Sequence, residues 1–216
     1  ELKEIMSLPN EQIQGNKIAN YKGSLSVKNL SLTYPNSRNP IFEDINFDTG
    51  EGKILCIKGN NGAGKTSLIK LITGILPYTR GQVFFDGIEI RQISVNWVRD
   101  NISYMPQIPD FIDATLWHNI TAGKEIEKKL LENILEDSDL SEFINQHPQG
   151  IMMGINNNQI QLPLGIIKRI AFARALFSLR KIFILDEPTE GLDEKGTIKI
   201  IDKITKLKKS GKTIVI

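Results

Sequence analysis

The most informative stretch of the sequence is Gly-Asn-Asn-Gly-Ala-Gly-Lys-Thr at residues 59–66. It fits the pattern G-x-x-x-x-G-K-[ST] and follows a short apolar run, residues 53–58, which predicts a strand buried on both faces. A helical pattern begins at the end of the loop and continues over residues 65–75. A strand, a Gly-rich turn and a helix in this order indicate a phosphate-binding element, because backbone N–H groups and the positive end of the helix then face the anion.

Each residue type in this loop has a separate chemical use. We expect Gly59, Gly62 and Gly64 to adopt positive φ, so that the backbone approaches a phosphate closely. Lys65 supplies a mobile point charge for the β- and γ-phosphates, and the Thr66 hydroxyl is suited to ligate Mg²⁺. Taken without other motifs, the same stretch also fits a tight strand-to-helix turn that carries a Lys-Thr pair by chance.

A second motif, two carboxylates at the end of an apolar strand, favours the phosphate site. The run at residues 181–186 predicts a buried strand that ends in Asp186 and Glu187. Parallel strands bring their carboxyl ends to one edge of a sheet, so we expect Asp186 beside Thr66, within reach of the same Mg²⁺. Glu187 would then orient or deprotonate an attacking water. Paired acids before Pro188 also fit the start of a helix, but next to a Gly-rich loop they predict a Mg-ATP site.

Length and composition exclude several classes of protein. The 216 residues are 40% hydrophobic and 24% charged, which is typical of a globular chain and not of a disordered tail, a collagen or a disulfide mini-protein. A net charge of +2 is too balanced to indicate a nucleic-acid or membrane-surface partner. The single cysteine, Cys56, is predicted to be a small buried residue. A chain with one cysteine fits a reducing compartment. No apolar stretch of about 18 residues and no signal peptide is visible, so we expect a soluble chain.

Changes in pattern along the chain predict its organisation. Residues 1–23 are polar and predict a linker, with one short helical piece at residues 2–8. Residues 24–106 and 179–216 predict a nucleotide-binding core, and residues 107–178 a helical lobe inserted into it. Further strands are predicted at 24–32, 45–47, 82–85, 102–105 and 213–216, and helices at 126–135, 140–144, 166–178 and 195–209. In the last helix, the lysines predict a solvated face, and Ile198, Ile201, Ile204 and Leu207 a buried stripe.

Three further short motifs carry a resemblance to a known family. They are Leu32-Thr33-Tyr34-Pro35, Tyr104-Met105-Pro106-Gln107 and Glu190-Gly191-Leu192-Asp193. Together with the two phosphate motifs, they make residues 24–216 resemble the ATP-binding cassette (ABC) proteins almost throughout. The resemblance implies the α/β fold of P-loop NTPases, in which a RecA-like core sheet and an antiparallel β part carry an inserted helical subdomain. It also implies ATP and Mg²⁺ as cofactors.

The resemblance implies a role for one residue in each of the three motifs. Tyr34 is similar to the aromatic residue of the A-loop, which stacks on adenine; a core aromatic at a strand end is the alternative. Gln107 is similar to the Q-loop glutamine, which contacts Mg²⁺ or the attacking water and joins the sheet to the helical lobe. Asp193 matches the acidic residue of the D-loop.

The candidate site residues fall into three overlapping groups. Those expected to bind the nucleotide are Tyr34, Gly59, Asn60, Asn61, Gly62, Ala63, Gly64, Lys65, Thr66 and Ser67. Those expected to be catalytic are Lys65, Gln107 and Glu187. Those expected to ligate the metal are Thr66, Gln107 and Asp186.

Within the family, the chain is most similar to exporters. Residues 4–9 resemble the segment that joins a last transmembrane helix to the cassette, and residues 141–150 resemble the helical lobe of type I secretion and bacteriocin or toxin exporters. The resemblance implies a transmembrane domain of the same transporter and a second cassette as partners, no nucleic acid, and a location at the cytoplasmic face of the membrane. It also suggests that the chain is part of a larger protein, because residue 216 falls in the strand that leads to the family's switch histidine.

One segment departs from the family pattern. Leu162-Pro163-Leu164-Gly165-Ile166 stands where the family usually has the signature Leu-Ser-Gly-Gly-Gln, and residues 154–161 lack the acidic-Arg-Gly element that is common in exporters. This departure keeps a second interpretation open, a nucleotide-binding regulatory module with little or no turnover. A third, from another class, is a soluble cassette of DNA repair or translation. The main prediction is the ATP-hydrolysing domain of an exporter.

Overall fold

The computed structural model describes residues 15–35, 37–155, 162–178 and 180–216. The helical piece predicted at residues 2–8, the exporter-like segment at residues 4–9 and most of residues 154–161 lie outside this description. The strands are β1 Leu25–Leu32, β2 Phe42–Thr49, β3 Ile54–Leu55, β4 Arg80–Phe85, β5 Ile88–Glu89, β6 Ile102–Met105, β7 Ala114–Thr115, β8 Gly154–Ile155, β9 Ile182–Leu185 and β10 Thr213–Val215. The helices are α1 Lys65–Ile72, α2 Val95–Asn101, α3 Leu116–Thr121, α4 Lys128–Asp137, α5 Ser141–Asn145, α6 Leu164–Phe177 and α7 Glu194–Lys209.

Two four-stranded sheets form the framework. The first is antiparallel, in the order β2-β1-β4-β5, and the second is parallel, in the order β3-β10-β9-β6. A short antiparallel pair, β7 with β8, lies among the helices of residues 107–178. In the described part of the chain, no helix is both long and apolar enough to cross a bilayer.

The strand β9 lies at the centre of the parallel sheet, and each of its residues is fully buried. Since successive side chains point to opposite faces, the strand contributes to two cores. Phe183 and Leu185 pack with the helical region and α7, whereas Ile182 and Ile184 pack with α1 and the antiparallel sheet. Burial of each such side chain stabilises the fold by about 1.5–3 kcal/mol. The strand β9 therefore helps to hold the parallel sheet between these two cores.

The strand predicted at residues 53–58 differs from the expectation. Among the described residues, its observed part, β3, lies at the edge of the parallel sheet and pairs with β10. Ile54 is 39% exposed and Cys56 is exposed, so the predictions of a doubly buried strand and of a buried cysteine are wrong. An apolar run indicates that the side chains are hydrophobic, but it does not indicate how many strands lie beside them.

The buried stripe of α7 also differs from the prediction. Ile200, Ile204 and Leu207 are buried, whereas Ile198 and Ile201 are about half exposed. A repeat of three residues drifts by about 60° at each step in a helix of 3.6 residues per turn, so the predicted positions could not share one face. The lysines of α7 are not uniformly solvated either, since Lys199 Nζ lies 2.5 Å from Asp139 and Lys203 Nζ 2.5 Å from Asp137.

The segment before β1 is attached to the antiparallel sheet by one carboxylate. Asp86 has a φ of 47° in the turn after β4, and its carboxylate accepts hydrogen bonds from the backbone N–H groups of Lys22, Gly23 and Ser24 and from the Ser24 hydroxyl. The Tyr21 ring packs edge-on against Trp97, with centroids 4.8 Å apart. Residues of the predicted linker are therefore packed on the folded core.

We predict that Asp86→Asn destabilises the chain by about 1–3 kcal/mol, because the amide has one accepting oxygen where the carboxylate has two. Asparagine tolerates positive φ, so the change isolates the hydrogen bonds from the backbone conformation. Urea unfolding measures the effect, and Asp48→Asn on the exposed side of β2 is the matched control, expected within about 0.5 kcal/mol of the wild type. Equal losses in both variants would contradict the anchoring role.

Candidate functional site

The Gly-rich loop connects β3 to α1 as predicted, and the helix begins at Lys65. Gly62 and Gly64 have φ of 81° and 90°, and Gly64 is the N-cap, with no side chain bonded to the first turn. The prediction of positive φ at Gly59 is wrong. There a Cβ would lie 3.2 Å from the Ala63 Cβ, so a tight contact within the loop favours glycine instead. The uncapped helix start is open to an anion.

The Lys65 ammonium lies at the mouth of this loop. Its Nζ donates to the carbonyl oxygens of Gly59, at 2.9 Å, and Asn60, at 3.2 Å. It also lies 4.0 Å from Glu187 Oε1. The contact joins the two motifs that predict the phosphate site, although Lys65 and Glu187 are 122 positions apart along the chain.

The three predicted metal-ligating residues form one group of oxygen donors. Thr66 Oγ1 donates to Gln107 Oε1 at 3.4 Å. Asp186 is 2% exposed, and its Oδ2 has no hydrogen-bond partner among the described residues. Burial raises the pKa of Asp186, the nearby Thr66 hydroxyl lowers it, and the neighbouring Glu187 charge raises it. A buried carboxylate oxygen without a partner, beside a hydroxyl and an amide oxygen, fits a hard cation such as Mg²⁺.

Gln107 connects this group to Glu187. Its Nε2 donates to Glu187 Oε2 at 3.1 Å, so one amide contacts both the candidate metal ligand Thr66 and the candidate base. Glu187 has a φ of 49°, a left-handed conformation that is uncommon for a residue with a long side chain. The side chain of Glu187 is 34% exposed, which leaves the carboxylate accessible to water.

Sequence analysis missed one residue of this site, Lys168. It is fully buried in α6, and its Nζ donates to the carbonyl oxygens of Gln107, at 2.8 Å, and Glu187, at 3.1 Å. The signal was present in the sequence, because Lys168 has helical spacing with Ala171, Phe172 and Ala175. A lysine on the apolar face of a predicted helix needs buried acceptors.

Tyr34 and Asp193 lie in different surroundings. The Tyr34 side chain is exposed after β1, with its hydroxyl 2.9 Å from Ser67 Oγ in α1, so the alternative of a core aromatic is not supported. Asp193 is the N-cap of α7, where it accepts from Gly196 N, and it also accepts from Arg169 Nη2 at 2.6 Å. Within the chain, Asp193 therefore links α7 to α6.

The departing signature segment forms the start of α6. Pro163 is the N-cap and makes no side-chain hydrogen bond. Leu164 is 48% exposed and lies against the D-loop, since a Cβ on Gly191 would come 2.6 Å from Leu164 Cδ2. An apolar side chain occupies a position where the resemblance to the family predicts glycine.

A Gly-rich loop after a parallel strand, with paired carboxylates at the end of another strand of the same sheet, defines an α/β P-loop nucleotide-binding protein. The sequence model of the ABC transporter family matches residues 42–190, and the chain belongs to that family. This confirms the predicted family and fold class.

The chain is also similar to individual members of the family. It is 31% identical to the ATP-dependent lipid A-core flippase of Photobacterium profundum, over the whole chain and 37% of that protein. It is 30% identical to the multidrug resistance-like ATP-binding protein MdlB of Buchnera aphidicola, over 92% of the chain and 34% of that protein. The chain thus spans about a third of the length of these relatives. It also superposes on a bacterial Atm1-family ABC exporter solved with ATP bound, with a TM-score of 0.86 at 22% identity, over the whole chain and 39% of that structure.

We predict that Tyr34→Ala weakens ATP binding by about 1–3 kcal/mol, the scale of base–aromatic stacking in nucleic-acid complexes. Tyr34→Phe is the matched control, because it keeps the ring and removes only the hydrogen bond to Ser67, so we expect it to retain most of the affinity. Titration calorimetry with ATP and GTP measures both variants, and GTP should compete because stacking accepts any purine face. An unchanged affinity in Tyr34→Ala would exclude stacking.

Proposed function

We propose that this chain is the ATP-binding and ATP-hydrolysing domain of an ABC exporter. The observation that carries the proposal is the meeting of Lys65, Thr66, Gln107, Asp186 and Glu187 at the carboxyl edge of the parallel sheet. The names of the relatives, a lipid flippase and a multidrug resistance-like protein, support export over a soluble cassette of DNA repair or translation.

The side chains divide the chemistry of ATP hydrolysis among them. Backbone N–H groups of the Gly-rich loop and the Lys65 ammonium bind the β- and γ-phosphates. Glu187 accepts a proton from the water that attacks the γ-phosphorus, and Gln107 orients the Glu187 carboxylate. Thr66, Gln107 and Asp186 would hold Mg²⁺, which supplies positive charge to the phosphate oxygens when bound. The products are ADP and phosphate.

The proposed partners are a transmembrane domain of the same transporter and a second cassette. The relatives are about three times as long as the chain, which leaves room in each for a membrane domain. The net charge of +2 gives no indication of a nucleic-acid partner. We place the domain at the cytoplasmic face of the membrane, where ATP is available. The narrower similarity to type I secretion exporters remains a prediction.

We predict that two variants of the site both lose ATP hydrolysis but differ in ATP binding. Lys65→Ala weakens ATP binding and abolishes hydrolysis, because a charge on the phosphates is lost. Glu187→Gln keeps the size of the side chain but removes the base, so ATP still binds while hydrolysis falls by about 10²-fold or more.

Equilibrium binding and phosphate release measure these two effects, with exposed Lys70→Ala as the control for removal of a lysine from α1. If Glu187→Gln loses ATP binding as severely as Lys65→Ala, the assigned roles are wrong.

The sequence at the start of α6 favours two unequal ATP sites in a pair of cassettes. In the family, the signature segment of one cassette faces the γ-phosphate bound by the other. Here Pro163 provides neither a hydroxyl nor an N–H, and Ile166 replaces an amide with a hydrocarbon. Loss of one preorganised donor costs about 2.7–4 kcal/mol, so a site closed by this segment is nearly inactive. We therefore propose a heterodimer with one working and one degenerate ATP site or, in a homodimer, a slow ATPase.

Steady-state ATPase activity of the purified homodimeric transporter tests this arrangement. The activity of the Glu187→Gln variant is measured in parallel as the baseline. We expect turnover below about 1 s⁻¹, at the low end of enzyme rates. The triple change Pro163→Ser, Leu164→Gly and Ile166→Gln restores the family pattern and should raise the rate by about tenfold or more. Wild-type turnover of about 1 s⁻¹ or faster would exclude a degenerate site.

A further inference from the structure

Lys168 is a fully buried cation whose three protons are all directed at acceptors. Its Nζ lies 2.8 Å from Gln107 O, 3.1 Å from Glu187 O and 3.2 Å from Glu190 Oε2. Burial of an ammonium is costly unless it is paired and hydrogen-bonded, and a lysine has three protons to satisfy. The surroundings of Lys168 meet that requirement, so its position is defined by these three contacts.

The three acceptors belong to two loops. Gln107 follows β6, Glu187 follows β9, and Glu190 lies in the turn before α7. Lys168 itself lies on α6, two residues after the signature segment. A single ammonium therefore ties the helix that begins with this segment to both loops that carry the candidate catalytic side chains. Packing does not require this arrangement, because a methionine of similar length would fill the same space without charge.

Glu187, whose carbonyl oxygen accepts from Lys168, has a strained backbone conformation. A left-handed φ of 49° is energetically unfavourable for a non-glycine residue. This conformation directs the Glu187 carbonyl toward Lys168 and its carboxylate toward Gln107 and Lys65. A rotation of φ to the ordinary range would break both sets of contacts together.

We propose that Lys168 is a positioning residue for ATP hydrolysis: by binding the carbonyl oxygens of Glu187 and Gln107, it holds the Glu187 carboxylate in its reactive orientation. The inference rests on the proposed function, since it assigns Lys168 to the same site. Lys168 does not contact the nucleotide in this proposal and acts through Glu187. Its removal should therefore change the rate of the chemical step and leave ATP affinity intact.

The test measures single-turnover hydrolysis and ATP affinity in the full-length transporter. Lys168→Met removes both hydrogen bonds and the ion pair, and we expect the hydrolysis rate to fall by about tenfold or more while the Kd for ATP changes by less than about threefold. Lys168→Gln restores a donor and should recover part of the rate. Lys206→Met, an exposed lysine of α7, is the matched control and should leave both values unchanged.

A double-mutant comparison separates positioning from general damage. In a Glu187→Gln background, Lys168→Met should reduce the residual rate by less than about twofold, because residues that act as a unit are not additive. Additive losses would assign Lys168 a role independent of Glu187 and overturn the proposal.

A further variant covers the case in which Lys168→Met does not fold, as judged by thermal unfolding. Glu190→Gln weakens the same cluster from its exposed side, and we expect it to lower the rate with unchanged ATP affinity. A wild-type rate in Glu190→Gln together with an unfolded Lys168→Met would overturn the proposal in favour of a purely structural lysine.

The outcomes distinguish the two levels of inference. If the wild type hydrolyses ATP and Glu187→Gln does not, but Lys168→Met retains the wild-type rate, the positioning role is wrong and the proposed function stands. If the wild type neither binds nor hydrolyses ATP, the proposed function itself fails.

Discussion

The parallel pairing of β9 with β6 is the constraint on which the site depends. In this register Leu185 lies beside Met105, and the pairing continues one residue further, where Asp186 N donates to Met105 O at 2.9 Å. Both strands therefore deliver their next residues to the same edge of the sheet. Gln107 and Glu187 are hydrogen-bonded for this reason, although they are 80 residues apart. A shift of one residue would move Asp186 from the buried position beside Thr66 to the other face.

The parts of the site that sequence analysis predicted are those in which chemistry fixes the spacing. A phosphate loop requires glycine, lysine and a hydroxyl at set intervals, and a magnesium site requires a carboxylate at a strand end. These requirements located Lys65, Thr66, Asp186 and Glu187 without knowledge of the neighbouring strands. The resemblance to the family was needed for Tyr34 and Gln107, because a lone aromatic or glutamine has no such local signature.

Several of the errors have a common physical origin, since they concern neighbours that are distant in the sequence. The apolar run that contains Ile54 and Cys56 is as hydrophobic as a central strand, yet it lies at a sheet edge. Lys168 was overlooked because its three acceptors come from segments distant in sequence, and two of them are backbone carbonyls that no residue type reveals. The ion pairs between α7 and the aspartates near the end of α4 were missed for the same reason.

The exposed edge of β3 has a consequence for the behaviour of the isolated domain in solution. Within the described residues, this strand uses its hydrogen-bonding groups toward β10 alone, and the adjoining Ile54 and Cys56 side chains are accessible. Apolar edges of this kind are templates for sheet extension between molecules. A sample of a chain with these 216 residues should therefore self-associate as its concentration rises, and oxidation of the accessible thiol should trap the associated molecules covalently.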